Sequence, residues 1–185
     1  MGKLLCSKGC RVTTHCVVYY VLWFFIIVSA AQQNAWVGLT ASLSVVSLLS
    51  VWEYRCHQGK GLIKLIVSLT ALGYIVDSAL LFFHLIHFQA NPFHPYLSPP
   101  WMVGCWLSFA LVCHVGLKDY FHRHYLMGTA ALIGFPAAYY VGIAMHAAHS
   151  AHLIPLLITL GIIWSILFPV VVRRHLRPVR HDHNS

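Results

Sequence analysis

Six apolar runs divide this chain, and the connections between them alternate between carrying Lys or Arg and carrying neither. The runs are Val12–Ala31, Trp36–Val51, Leu62–Phe88, Trp101–Leu117, Tyr125–Met145 and Leu153–Val172. Each is suited to crossing a hydrocarbon core about 30 Å thick as a helix. Continuous apolar character, without polar–apolar alternation, favours helices over a barrel. The second run is short and must tilt little or thin the bilayer, whereas the third is long and must tilt or project. With 59% hydrophobic and only 9% charged residues, the chain cannot coat a soluble domain, for which about 25% charged residues is usual. The expected fold is all-α: a polytopic transmembrane bundle of six helices, one domain over residues 1–185.

The basic residues orient that bundle. Lys3, Lys8 and Arg11 precede the first run, Arg55, Lys60 and Lys64 surround the second connection, and Lys118 and Arg123 fill the fourth. Arg173, Arg174, Arg177 and Arg180 follow the sixth run. Connections Gln32–Ala35, Gln89–Pro100 and His146–His152 contain no Lys or Arg. Positive residues remain on the cytoplasmic side, so both termini are expected there. The net charge of +8 is then topology plus attraction to anionic lipid headgroups, which makes membrane lipids the expected partners. It is not a nucleic-acid surface, since the clusters accompany no stacking surface or groove-reading element. Ser29-Ala30-Ala31 gives the first run the look of a cleavable signal. Its removal would upset the charge alternation, so an uncleaved signal anchor is expected.

Asp77 is the only acidic residue inside an expected span. A charged side chain at a helix centre costs about 2.5–3.5 kcal/mol on insertion scales, so it should face the bundle and meet a partner. Tyr74 stands one turn earlier on nearly the same face, and Ser78 offers a hydroxyl. His114 is the best distant partner. Asp77 lies eleven residues from the end of the third run and His114 thirteen from the start of the fourth, which puts them within about a turn of the same depth. An Asp77–His114 pair would serve proton transfer, water orientation or headgroup binding; the plainer reading is a buried hydrogen bond that fixes packing.

The other polar and aromatic signals are weaker. His146, His149 and His152 recur every third residue and are metal candidates only by residue type, since no HExxH motif or nearby carboxylate accompanies them. His84, His87 and His94 flank another uncharged connection. Interfacial histidines replacing commoner polar residues is the simpler account. Six cysteines form no disulfide framework, and Cys6 and Cys10 beside Cys56-His57 do not match a zinc knuckle. No nucleophile elbow, phosphate-binding glycine loop or haem-attachment motif occurs, so no cofactor is assigned. Trp36, Trp52, Trp101 and Tyr125 mark span ends as headgroup anchors. Trp23, Trp106 and Trp164 lie deeper, as packing residues. Gly134 and Pro136 predict a kink in the fifth span, after which Tyr139 could present its hydroxyl to an interior cavity.

The chain resembles the domain-of-unknown-function 2878 family of small bacterial inner-membrane proteins. The likeness rests on Leu22-Trp23-Phe24 with Gln33 and Trp36, then Val76-Asp77-Ser78-Ala79-Leu80-Leu81. It continues from Pro100-Trp101 through Trp106 and Phe109 to His114, and on to Gly134, Pro136, Tyr139 and Gly142. The resemblance implies a compact multi-pass protein without an established activity, associated with fatty-acid-modifying enzymes. Departures are the histidine-rich connections, the long Gln89–Pro100 segment and the N-terminal cysteines. Three functions stay open: membrane-lipid or fatty-acid modification at an Asp77/His114 site with Tyr74, Ser78, Trp106 and Tyr139 as binding residues; proton- or cation-coupled transport through Asp77; or a structural assembly role. Transport carries a homo-oligomer, because six short spans enclose little space alone.

Overall fold

The computed structural model describes residues 8–57, 61–117 and 123–176. They form α1 (Lys8–Ala31), α2 (Val37–His57), α3 (Leu62–Phe82), β1 (His87–Phe88), α4 (Pro100–Gly116), α5 (His124–Ala144), β2 (Ala148–His149) and α6 (Leu153–Leu176). Five of these helices are long and apolar enough to cross a membrane, and α4, with 17 residues, is a shorter apolar helix. The transmembrane helical bundle expected from the apolar runs is therefore what the chain forms. Two boundaries differ most from expectation. The second helix extends past Val51 to His57, and the third ends at Phe82 instead of Phe88.

The third helix stops early because of its backbone. His84 adopts a left-handed conformation (φ 57°), while His84 N–H donates to Leu81 O and Leu85 N–H to Leu80 O, both at 3.0 Å. That hydrogen-bond pair is a Schellman cap, which satisfies the last carbonyls and turns the chain. The same device ends α1 at Gln33 (φ 64°) and α5 at His146 (φ 62°). All three caps lie at the bundle end that carries β1 and β2, called here the strand end. Beyond them, His87 pairs with His149 and Phe88 with Ala148 in an antiparallel ladder. This joins two connections distant in sequence.

The bundle is arranged around α4, which packs against α1, α2 and α3, while α5 pairs with α6 and α6 touches α3. Small residues permit the α2–α4 approach. A Cβ on Gly104 would lie 2.8 Å from Ser42 Oγ and 2.9 Å from the Gly38 carbonyl, so only glycine fits this crossing. Outward faces carry exposed Val21, Leu48, Ile63, Ile75, Ile133, Ile158 and Ile166. A contiguous apolar exterior of this kind is solvated by lipid, not water. At the opposite, basic end stand Arg11, Arg55, Lys64, Arg123, Arg173 and Arg174; Lys3, Lys60, Lys118, Arg177 and Arg180 lie outside the described residues.

Candidate functional site

Leu62, Leu65, Ile66, Leu69, Gly73, Val76, Asp77, Leu80 and Leu81 form the buried stripe of α3. The spacing is that of one helical face, and it turns Asp77 inward. Asp77 is fully buried, as sheltering by neighbouring helices requires. Trp106 Nε1 on α4 donates to its Oδ2 at 2.7 Å, and the Tyr139 hydroxyl on α5 donates to its Oδ1. Three helices thus converge on one carboxyl group, both of whose oxygens are occupied.

Gly73 makes this convergence sterically feasible. A Cβ there would sit 2.2 Å from ring atoms of Trp106, so the indole lies flat against bare α3 backbone one turn before Asp77. Its other face belongs to an aromatic block. Trp106 approaches Trp164 (centroids 4.7 Å), Phe135 (5.7 Å) and Phe109 (5.9 Å), and Phe135 stacks on Trp164 at 4.6 Å. Such offset and edge contacts add to plain area burial and lock ring orientation. The indole N–H is therefore aimed by packing before any ligand is considered.

His114 is not brought to Asp77. It lies buried on α4, eight residues beyond Trp106, or about 12 Å further along the helix axis. The depth match expected from the sequence depended on a third span reaching Phe88. With α3 ending at Phe82, Asp77 sits five residues from its helix end, toward the strand end. Tyr74 is half-buried and gives no hydrogen bond to Asp77, while Ser78 Oγ accepts from Ser98 N–H at 3.0 Å. Of the expected binding residues, Trp106 and Tyr139 meet Asp77 and the other two do not.

Trp106 and Tyr139 also border a groove of about 760 Å3. It is lined by α1 from Val12 to Ile27, by α4 from Trp101 to Gly116 with Leu117 just beyond, and by α5 from Ala130 to Gly142, with Phe88 and Ala148 at the strand end. Val12 to Ile27 corresponds to about 22 Å of helix. The lining is apolar and aromatic, with Tyr139, Tyr19, Tyr20, Cys16, Cys105 and Cys113 as its polarisable or polar members.

A second polar cluster went unseen in the sequence. At the basic end, Arg11 Nη1 donates to Glu53 Oε2 at 3.2 Å, and His15 Nε2 lies 3.4 Å from Glu53 Oε1. His15 Nδ1 donates to the Arg11 carbonyl at 2.9 Å, and its ring stacks on Trp52 at 5.3 Å. Glu53 is 1% exposed, so Asp77 is not the only carboxyl group buried by these helices. Ending the second span at Val51 had placed Glu53 in a connection. The recoverable signal was Arg11 and His15 four residues apart, on one face of α1.

His146, His149 and His152 do not form a helical stripe, because α5 ends at Ala144 and the following residues turn into β2. Among the described residues, no three His, Cys, Asp or Glu side chains are placed to hold a metal ion. Cys6 lies outside the described residues. Compared with known families, residues 12–170 match the model for DUF2878, described as a protein of unknown function. No curated protein and no solved structure matches the chain.

Proposed function

We propose that this chain, which belongs to the DUF2878 family over residues 12–170, is a lipid-binding protein of the bacterial inner membrane that seats one apolar lipid chain between α1, α4 and α5. The carrying observation is the long apolar groove, of a size that encloses small-molecule ligands, bordered by a hydroxyl already tied to a buried carboxyl group. Asp77 positions Tyr139 and Trp106 there; Tyr139 is the group that would meet a polar atom of the bound lipid. The basic end faces the cytoplasm by the positive-inside rule. Proton- or cation-coupled transport is less favoured, because both Asp77 oxygens accept protein hydrogen bonds and the groove offers an apolar path.

Gly134 supplies the test. It lines the groove, and a Cβ there meets nothing within 4 Å. Gly134→Leu should therefore occupy the groove without a clash, and replacing a helical glycine by a better helix former favours folding by up to about 1 kcal/mol. Purified wild-type protein is exposed to a diazirine-bearing fatty acid, cross-linked, and mapped by mass spectrometry. Labelling should concentrate on α1, α4 and α5 groove peptides and fall several-fold in Gly134→Leu, with the melting temperature no lower than that of wild type. Uniform labelling of all lipid-facing helices, insensitive to the substitution, would refute lipid binding in the groove.

A further inference from the structure

Four imidazoles meet at the strand end, and the proposed lipid site does not use them. His87 stacks on His149 with centroids 4.9 Å apart and planes 13° from parallel. His84 lies 6.2 Å from His87 on the same connection, and His94 lies 5.7 Å away. His87 is half-buried, whereas the other three are exposed. The surroundings contain no charge to balance them. Residues 32–36, 83–99 and 145–152, which make up this end, contain no Asp, Glu, Lys or Arg. The groups facing His87 are therefore His84, His94 and His149, while the neighbouring Gln33–Gln89 and Ser150–Leu85 hydrogen bonds are neutral.

Strand alternation links this cluster to the groove. Successive side chains in a strand point to opposite faces. His87 and His149 are partners in one register of the β1–β2 ladder; Phe88 and Ala148 are partners in the next, and both are buried. Phe88 and Ala148 line the strand end of the groove. Phe88 packs edge-on against Trp101, whose Nε1 donates to the Gln89 carbonyl. β1 is thereby fixed to α4, while β2 follows α5. A force between the His87 and His149 rings acts directly on the ladder that closes this end.

We propose that the four imidazoles form a pH-sensitive latch, whose protonation parts β1 from β2 and opens the strand end of the groove to lipid. This gating role rests on the lipid-binding reading, whereas the latch itself does not. Neutral rings stack, and two imidazolium ions side by side repel with no carboxylate to offset them. Burial first, then the charges of His149, His94 and His84, hold His87 below the ordinary histidine range. The closed ladder therefore binds protons more weakly than the open one. Its stability is complete above that range, declines as pH falls through about 6.5, and stops declining below the lowered value of the closed form.

Hydrogen exchange on the full-length protein in nanodiscs at pH 7.5 and 5.5, corrected for intrinsic rates, reads the latch without requiring a bound lipid. Peptides containing Phe88–Gln89 and Ala148–His149 should lose protection about tenfold for each proton held one pKa unit more weakly. Those from α3 should not change. His87→Gln, which removes the central imidazole, should flatten the pH response while leaving the neutral-pH protection in place. Equal protection at both pH values, or an undiminished response in His87→Gln, overturns the latch. Diazirine labelling of groove peptides at the same two pH values reads the gate. A rise at pH 5.5 that His87→Gln abolishes is expected; a ladder that opens while established groove labelling stays constant overturns gating. Absence of groove labelling at either pH, with the exchange response intact, sinks the lipid site and leaves the latch standing.

Discussion

Gly73→Ala is the sharpest test of the site's construction, because a single methyl group should dislodge its main donor. The new Cβ would lie 2.2 Å from the Trp106 ring. Carbon contacts are favourable only near 3.5 Å, so the indole must shift by roughly 1.3 Å. The block of Phe135, Phe109 and Trp164 resists that movement. Its Nε1, now 2.7 Å from Asp77 Oδ2, moves beyond good hydrogen-bond distance. Overpacking costs about 1–3 kcal/mol, and leaving a buried donor or acceptor without its partner costs about 1–3 kcal/mol. Because the two effects share one displacement, a loss of about 3 kcal/mol is expected, or roughly 6–12 °C in melting temperature for a chain of this size.

Melting in detergent, followed by tryptophan fluorescence, measures this directly, with Gly134→Ala as the control in open space. A Trp106→Leu background supplies the second arm, since removing the indole removes what the methyl group would strike. The two substitutions should be strongly non-additive. Should Gly73→Ala melt within about 2 °C of wild type, or lose as much stability in the Trp106→Leu background, the close approach of Trp106 to α3 is not what holds Asp77.

Three other outcomes follow from the same contacts. Asp77→Leu leaves the Trp106 N–H and Tyr139 O–H without their buried acceptor and should destabilise by about 2–4 kcal/mol, measured as detergent melting. Asp77→Asn, which keeps one acceptor oxygen, should lose less. Glu53→Ala strips Arg11 and His15 of their shared partner and should cost about 3–5 kcal/mol, whereas Arg11→Met combined with Glu53→Leu should recover most of it; the double variant melting no higher than Glu53→Ala would contradict the ion-pair account. His146 holds a left-handed backbone with an exposed side chain, so His146→Gly should raise stability by up to about 1 kcal/mol and His146→Val should lower it.

The membrane architecture was legible because hydropathy and charge placement reinforce each other over long runs. The helix ends were not, and the reason is local. Gln33, His84 and His146 perform the left-handed stop that glycine usually marks, so nothing in their type announces a boundary. Misplacing the end of α3 then shifted the inferred depth of Asp77 and suggested His114 as its partner. That Asp77 turns inward follows from its buried stripe and the cost of a carboxyl group in oil. That Trp106 reaches it depends on bare backbone at Gly73, a steric condition visible only once α3 and α4 are docked. Glu53 was hidden by the same kind of error, a helix ended too soon. The approach of His87 to His149 needed a strand pairing across sixty residues of sequence.

The shortness of α4 bears on the surrounding membrane. Its 17 residues reach about 25 Å, several ångströms less than the hydrocarbon thickness of an ordinary bilayer. Every residue of α4 is buried or half-buried, so lipid meets chiefly the five longer helices and is not forced to follow that shortfall. The match to bilayer thickness is set by those outer helices, and a short central helix is tolerated without deforming the leaflet.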